Sequence, residues 1–169
     1  RDPGSGRLDR IQELIDGRDG VRGLLDATTV TVPVDGAHVY AAGPDSDSIA
    51  VFAVKDGDGK LEFRHEIATE EPAVVQASPD GASVYVVSKQ ENKVALFGRN
   101  PQSGLLYLAD EQVDGENGVS GLDNPTALAV SPDSRFVYLP GGLGNSLIIF
   151  AQGGDLPTSL NTYLPTILR

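Results

Sequence analysis

Few residues in this sequence could carry chemistry. His38 and His65 are its two imidazoles, and either side chain could move a proton near neutral pH. Two loops of like sequence offer a second possibility. Asp16-Gly17-Arg18-Asp19-Gly20-Val21-Arg22-Gly23-Leu24 and Asp114-Gly115-Glu116-Asn117-Gly118-Val119-Ser120-Gly121-Leu122 set side-chain oxygens beside glycines that let main-chain carbonyls turn inward. Oxygen donors in that pattern suit a hard cation such as Ca²⁺, so Asp16, Asp19, Asp114, Glu116 and Asn117 are the candidate metal ligands; a solvated turn is the competing reading. Asp56-Gly57-Asp58-Gly59 has the first ligands of an EF-hand loop without the rest of the series or its closing Glu, and reads as a hairpin turn. Gly141-Gly142-Leu143-Gly144-Asn145 lacks the Gly-Lys-Ser/Thr of a phosphate loop and also reads as a turn. No catalytic residue and no organic cofactor is assigned.

Composition closes several other routes. The 169 residues contain no Cys, Met or Trp, which excludes thiol nucleophiles, dithiol redox pairs, Cys-zinc sites and c-type haem attachment. A net charge of −11 argues against nucleic-acid binding through a basic patch. Apolar residues make up 40%, enough for one packed domain, and no apolar run is long enough for a transmembrane segment. With 20 Gly, 11 Pro and an excess of Asp over Glu, the chain is rich in tight turns, as all-β proteins are.

The elements that position these residues repeat. Val39-Tyr40-Ala41-Ala42, Val84-Tyr85-Val86-Val87 and Val137-Tyr138-Leu139-Pro140 are versions of one segment, spaced by 45 and then 53 residues. Ile49-Ala50-Val51-Phe52, Val94-Ala95-Leu96-Phe97 and Leu147-Ile148-Ile149-Phe150 follow at the same offsets, as do the turn residues Asp35, Asp80 and Asp133. The eight extra residues of the longer period lie in the second acidic loop, whose twin stands 98 residues earlier. His38 shares its slot with Ser83 and Phe136, and His65 with Asp110, so strand or surface roles are expected for both. The tyrosines and the phenylalanines Phe52, Phe97 and Phe150 recur in every unit, which assigns them to packing between units.

Each unit reads as four short antiparallel strands separated by Pro, Gly, Asp and Asn, the period of a β-propeller blade. The expected fold is all-β: a β-propeller with about three four-stranded blades and an incomplete ring. Residues 1–152 hold the blades: 1–15 as the outer strand of a preceding blade, 27–67 and 73–113 as blades, and 125–151 as three strands of another. The apolar residues Leu8, Ile11, Leu14 and Ile15 stand at helical spacing, but the gap-free alignment of this segment on Ser103 to Leu122 favours a strand. The tail 153–169 breaks the repeat, and its Leu156, Leu160, Tyr163, Leu164, Ile167 and Leu168 call for a partner surface. Further blades, in the same or another chain, are the favoured completion; a homodimer closing a six-bladed ring is the other.

The run Gln76-Ala77-Ser78-Pro79-Asp80-Gly81-Ala82-Ser83-Val84-Tyr85-Val86-Val87-Ser88, with the acidic-loop pattern ahead of it, resembles the bacterial lactonase-like and YVTN-type β-propeller repeat proteins over residues 1 to about 151. That resemblance implies a propeller. It also implies two functional classes, sugar-lactone hydrolases and secreted or surface propellers without chemistry. A lactonase would bring His, Arg and acidic residues to the central channel, and no such motif matches residue by residue. The leading expectation is therefore a non-enzymatic module, extracellular or periplasmic, that binds a protein or ligand through its loops. A lactonase-like hydrolase with its catalytic residues largely outside this chain and a structural subunit of a larger assembly are the alternatives.

Overall fold

The computed structural model describes residues 6–153 and contains eleven β-strands among them, with one short 3-10 turn at Pro44–Ser46 and no α-helix. Blade 1 comprises β1 (Thr29–Thr31), β2 (His38–Gly43), β3 (Ser48–Val54) and β4 (Leu61–Ala68). Blade 2 comprises β5 (Pro72–Ala77), β6 (Ser83–Ser88), β7 (Lys93–Arg99) and β8 (Leu106–Val113). Blade 3 has three strands, β9 (Ala129–Val130), β10 (Phe136–Gly141) and β11 (Ser146–Ala151). Every sheet is an antiparallel meander in sequence order, so the first strand of each blade forms one edge. The fold is thus a partial β-propeller.

Burial explains why the strands read as they do. The second strands β2 and β6 are buried at all six positions, because both faces of each blade pack on neighbouring structure. Such strands are near-continuous apolar runs of Val, Tyr and Ala. The outer strand β4 alternates half-buried and exposed residues instead. Between blades 1 and 2 lies a core of Tyr40, Ile49 and Val51 against Val75, Val84, Val86 and Phe97. Between blades 2 and 3, Tyr85, Val87 and Val94 meet Leu122, Val137, Leu139 and Ile148. Of the recurring aromatic residues, Tyr40 and Phe97 lie in the first of these cores and Tyr85 in the second, with Phe150 packed against it, whereas Phe52 belongs to a third cluster on the other face of blade 1.

Polar contacts join the blades along their inner strands. The Thr29 and Thr31 hydroxyls accept the N–H groups of Val75 and Ala77 at 2.9 and 3.0 Å, and the Thr28 hydroxyl donates to the Ala73 carbonyl at 2.8 Å. The third and fourth strands carry a bulge at equivalent places, between Val51 and Phe52 and between Leu96 and Phe97.

Residues 6–15 do not form the outer strand that the repeat leads one to expect. A strand requires a ladder, and none of the described residues pairs with this segment through its main chain. It lies along blade 1 instead: Gln12 donates from Nε2 to the Leu61 carbonyl at 2.9 Å and accepts the Leu61 N–H at Oε1 at 2.7 Å. Leu14, Val21 and Leu24 cover the Val39, Ala41, Ala50 and Phe52 face of that blade. Residues 1–5 and the apolar tail 154–169 lie outside the described residues.

Candidate functional site

Two groups of polar residues stand at opposite ends of the inner strands. At the turn end, a buried cluster bridges blades 1 and 2. Arg99, the last residue of β7, has a side chain only 1% exposed. Its Nη1 and Nη2 donate to Asp35 Oδ2 and Oδ1 at 2.7 and 3.1 Å, a bidentate pair. The remaining N–H groups reach the Gly81 carbonyl and the Tyr40 hydroxyl, both at 3.0 Å, and His38 Nδ1 at 3.1 Å. All five guanidinium donors are thereby used. The Tyr40 hydroxyl donates onward to the Gly104 carbonyl at 2.9 Å. Gly104 has φ +75, and a Cβ there would overlap the His38 ring, so both backbone and space require glycine.

The repeat explains why this cluster occurs once. In blades 2 and 3 the turn Asp accepts from a serine two residues before it, Ser78 to Asp80 and Ser131 to Asp133. The corresponding residue of blade 1 is Pro33, which has no hydroxyl, so the Asp35 carboxylate turns to Arg99. Arg99 shares its slot with Val54 and Gln152, and Gln152 makes a weaker contact of the same kind, 3.5 Å to Ser83 Oγ. Arg99 is a departure from the repeat that the sequence displays. Sequence reasoning passed over it because its side-chain partners lie 59 to 64 residues away.

Electrostatics fixes the protonation of the cluster. Arg99 holds the Asp35 carboxyl below its usual value. Because Arg99 can only donate, His38 Nδ1 is an acceptor, and the neutral ring carries its proton on Nε2. Burial, then the Arg99 charge, keeps the His38 pKa below 6.5. Neither group is a poised base, and the cluster works as a staple between blades. The unfolded chain takes up a proton on His38 near pH 6.5 while the folded chain resists it, so stability is full above that pH and falls as pH drops towards the folded value. The urea midpoint is expected to be lower at about pH 5 than at about pH 7.5, less so in His38→Gln; a pH-independent midpoint would contradict the neutral ring. Tyr40→Phe, which leaves Arg99 Nε and the Gly104 carbonyl short of a partner, is expected to cost about 1–3 kcal/mol in the same assay.

Beside the staple opens a cleft of about 550 Å³ lined by Asp35, His38, Asp56, Arg64, Gln102 and Ser103. His65 lies on β4 opposite Val51; burial lowers its pKa, and its Nε2 is buried without a hydrogen-bond partner.

At the other end, where each inner strand begins, the three blades repeat a different device. Asp26, Glu71 and Asn124 occupy one slot and share a left-handed backbone, with φ 53, 37 and 51. Asp47, Asn92 and Asn145, in the turns between second and third strands, share another, with φ 46, 49 and 49. Asp47 Oδ1 accepts the Glu71 N–H at 3.1 Å and Asn92 Oδ1 accepts the Asn124 N–H at 2.8 Å, so each turn caps the start of the next blade. Glu71 stands apart. Its Oε2 is buried and has no hydrogen-bond partner, an uncommon state for a carboxylate. A carboxylate so placed can accept a proton from a bound water.

The acidic loops that the sequence singled out are engaged in their own closure. Asp16 Oδ1 accepts the Leu24 N–H and Asp114 Oδ1 the Leu122 N–H, each at 2.9 Å. Asp19 and Asn117 are matching left-handed residues, and the Glu116 carbonyl accepts the Val119 N–H at 2.8 Å. Among the described residues, no group of three or more His, Asp or Glu side chains is placed to hold a metal ion.

Comparison with known proteins bears on function directly. The sequence profile of the family described as "Lactonase, 7-bladed beta-propeller" matches residues 1–122. The chain is 28% identical over 113 residues to the 6-phosphogluconolactonase of Bacillus subtilis, covering 66% of this chain and 32% of that protein. It is 26% identical over 88 residues to the 6-phosphogluconolactonase of Formosa agariphila, covering 50% and 25%. The chain thus spans about a third or less of these curated relatives. Among solved structures, the Pseudomonas aeruginosa periplasmic gluconolactonase matches with a TM-score of 0.63 at 22% identity, over 74% of this chain and 35% of that one. A functionally unknown protein from Desulfotomaculum acetoxidans matches with a TM-score of 0.65 at 20% identity, over 86% and 44%. At such identities the structural likeness concerns the fold. The expectation of a non-enzymatic binding module is overturned by the family match and by two curated relatives named for the same hydrolysis. Its physical weakness is plain: a repeat reports the scaffold, whereas activity resides in the residues that depart from it. By the match over residues 1–122, the chain belongs to the lactonase family of seven-bladed β-propellers.

Proposed function

We propose that this chain is part of a lactonase-like hydrolase that opens a sugar lactone, and that the reaction takes place where the inner strands begin. The observation that carries this reading is the buried, unpartnered Glu71 Oε2, in a chain whose family and named relatives are lactonases. In the proposed step a water oxygen adds to the lactone carbonyl carbon and Glu71 takes the water proton. The bond from that carbon to the ring oxygen then breaks, the ring oxygen gains a proton, and an open-chain hydroxy acid leaves. Groups that polarise the carbonyl and protonate the ring oxygen come, in this reading, from the rest of the propeller.

Charge narrows the substrate class. With Asp26, Asp45, Asp47 and Glu71 near this end and −11 over the chain, a phosphate ester meets repulsion that a neutral lactone does not. Acid release from glucono-1,5-lactone and from its 6-phosphate, followed in weak buffer, tests both points. A saturable rate above spontaneous hydrolysis, faster for the neutral lactone, is expected. No turnover of either lactone by a preparation with a closed ring would overturn the reading.

A further inference from the structure

The connection into blade 2 departs from the repeat in a way that converges on Glu71. In blades 1 and 3 the second strand ends in glycine and the third begins with serine, Gly43 with Ser48 and Gly141 with Ser146. A long connection packs against each pair. A Cβ at Gly43 or Gly141 would overlap the carbonyl of Gly23 or Gly121, and the Ser146 hydroxyl donates to the Gly121 carbonyl at 2.7 Å.

Blade 2 is entered through Thr69, Glu70 and Glu71 alone, between β4 and β5. The same two slots, directly opposite each other in the β6–β7 ladder, hold Ser88 and Lys93. Both side chains turn to the short connection. Ser88, 2% exposed, donates its hydroxyl to the Glu70 carbonyl at 2.6 Å. Lys93 Nζ donates to Glu70 Oε2 at 3.2 Å and lies 3.9 Å from Glu111 Oε2. From the other side Asp47 grips the same segment, its carbonyl accepting the Thr69 N–H at 2.9 Å and its Oδ1 the Glu71 N–H at 3.1 Å.

The conformation of Glu71 explains why the segment is held so closely. Its φ of 37 is unfavourable for a residue with a long side chain, and the fully buried Pro72 that follows favours extended backbone before it. A strained residue persists only when its surroundings hold it there. The fold itself asks for less. In blade 3, Asn124 makes the same left-handed turn before Pro125 under the Asn92 cap, with the Asp123 carbonyl accepting the Leu143 N–H at 3.3 Å. No side chain grips Asp123 there as Ser88 and Lys93 grip Glu70. The extra contacts fall at the one blade start that carries an unpartnered carboxylate oxygen.

We propose that Ser88 and Lys93 are positioning residues for the hydrolysis: by fixing Glu70 at its carbonyl and its carboxylate, they set the direction in which the Glu71 side chain leaves the main chain. Neither residue acts on the substrate itself. The inference rests on the assignment of the water proton to Glu71. Rotation of the Glu70–Glu71 peptide would swing Oε2 away from the attacking water, and a displacement of about 1 Å can cost on the order of 10²-fold in rate.

Ser88→Ala removes one grip without loosening the backbone, and Lys93→Ser installs the residue of the sister blades. Both are made in the full chain and assayed with glucono-1,5-lactone. Each is expected to lower kcat by roughly 10-fold with KM little changed, and the two together by roughly 10²-fold. Added to Glu71→Gln they should cost nothing further, because the group they aim is no longer a base. If Ser88→Ala fails to fold, Lys93→Ser, at a less buried position, carries the same comparison. Parental kcat in the variants that fold, with Glu71→Gln slow, would overturn the inference alone, as would equal losses with and without Glu71→Gln. Parental kcat in Glu71→Gln would overturn the assignment of Glu71 and this inference with it.

Discussion

Replacing Arg99 by Ala is expected to lower the unfolding free energy by about 3–5 kcal/mol, measured by urea denaturation at neutral pH. The size follows from what is left behind. The Asp35 carboxylate loses both bonds of its bidentate pair, and His38 Nδ1, the Tyr40 hydroxyl and the Gly81 carbonyl each lose a donor. His38 and Tyr40 are buried between the two blades and the Arg99 side chain is 1% exposed, whereas the Asp35 side chain is 35% exposed and regains water when its partner is removed, which sets the loss at the low end of that range. Arg99→Lys should recover only part of the loss, since three donors on a point charge cannot replace a planar fork of five. A loss below about 1 kcal/mol would mean that the cluster behaves as a solvated surface pair.

The largest kinetic effect is expected at Glu71. If its carboxylate takes the proton from the attacking water, Glu71→Gln keeps the shape and removes the base, so kcat should fall by roughly 10²–10⁴-fold with KM little changed. The Glu71 N–H, which Asp47 caps, is untouched by this change, and the left-handed backbone already tolerates Asp26 and Asn124 in sister blades. Unfolding should therefore stay near that of the parent chain. A variant that loses stability and activity together would assign Glu71 to the scaffold, and one that keeps kcat would remove it from the reaction.

The contrast between these residues shows what the sequence could and could not display. Tyr40, Tyr85 and Phe97 recur at fixed offsets because every blade needs the same apolar contacts, and the structure finds them in the inter-blade cores, whereas Phe52 is covered by the segment that holds Leu14, Val21 and Leu24. Residues 6–15 follow the repeat in sequence but form no strand, because pairing depends on a neighbour as well as on pattern. Arg99 was visible as an exception beside Val54 and Gln152, yet its role depends on Asp35 and Tyr40, which only the stacking of blades brings within reach. Glu71 had a fainter signal. Asp26 and Asn124 are residues that tolerate a left-handed backbone, and Glu71 stands in their slot without that excuse. Asp16 and Asp114, with carboxylates and glycines in a pattern suited to a cation, serve to cap their loops. Chemistry inferred from residue types thus required the geometry to separate turn caps from a carboxylate left without a partner.

The central claim places the chemistry at the start of the inner strands and assigns the staple end to scaffold. It is tested most directly by titrating isotopically labelled protein with a sugar lactam, which resembles the lactone but resists hydrolysis, while recording amide chemical shifts. Saturable shifts are expected at Asp26, Glu71 and Asn124 and at their capping residues Asp47 and Asn92. Shifts confined to Asp56, Arg64, Gln102 and Ser103, around the cleft beside the staple, would contradict the account.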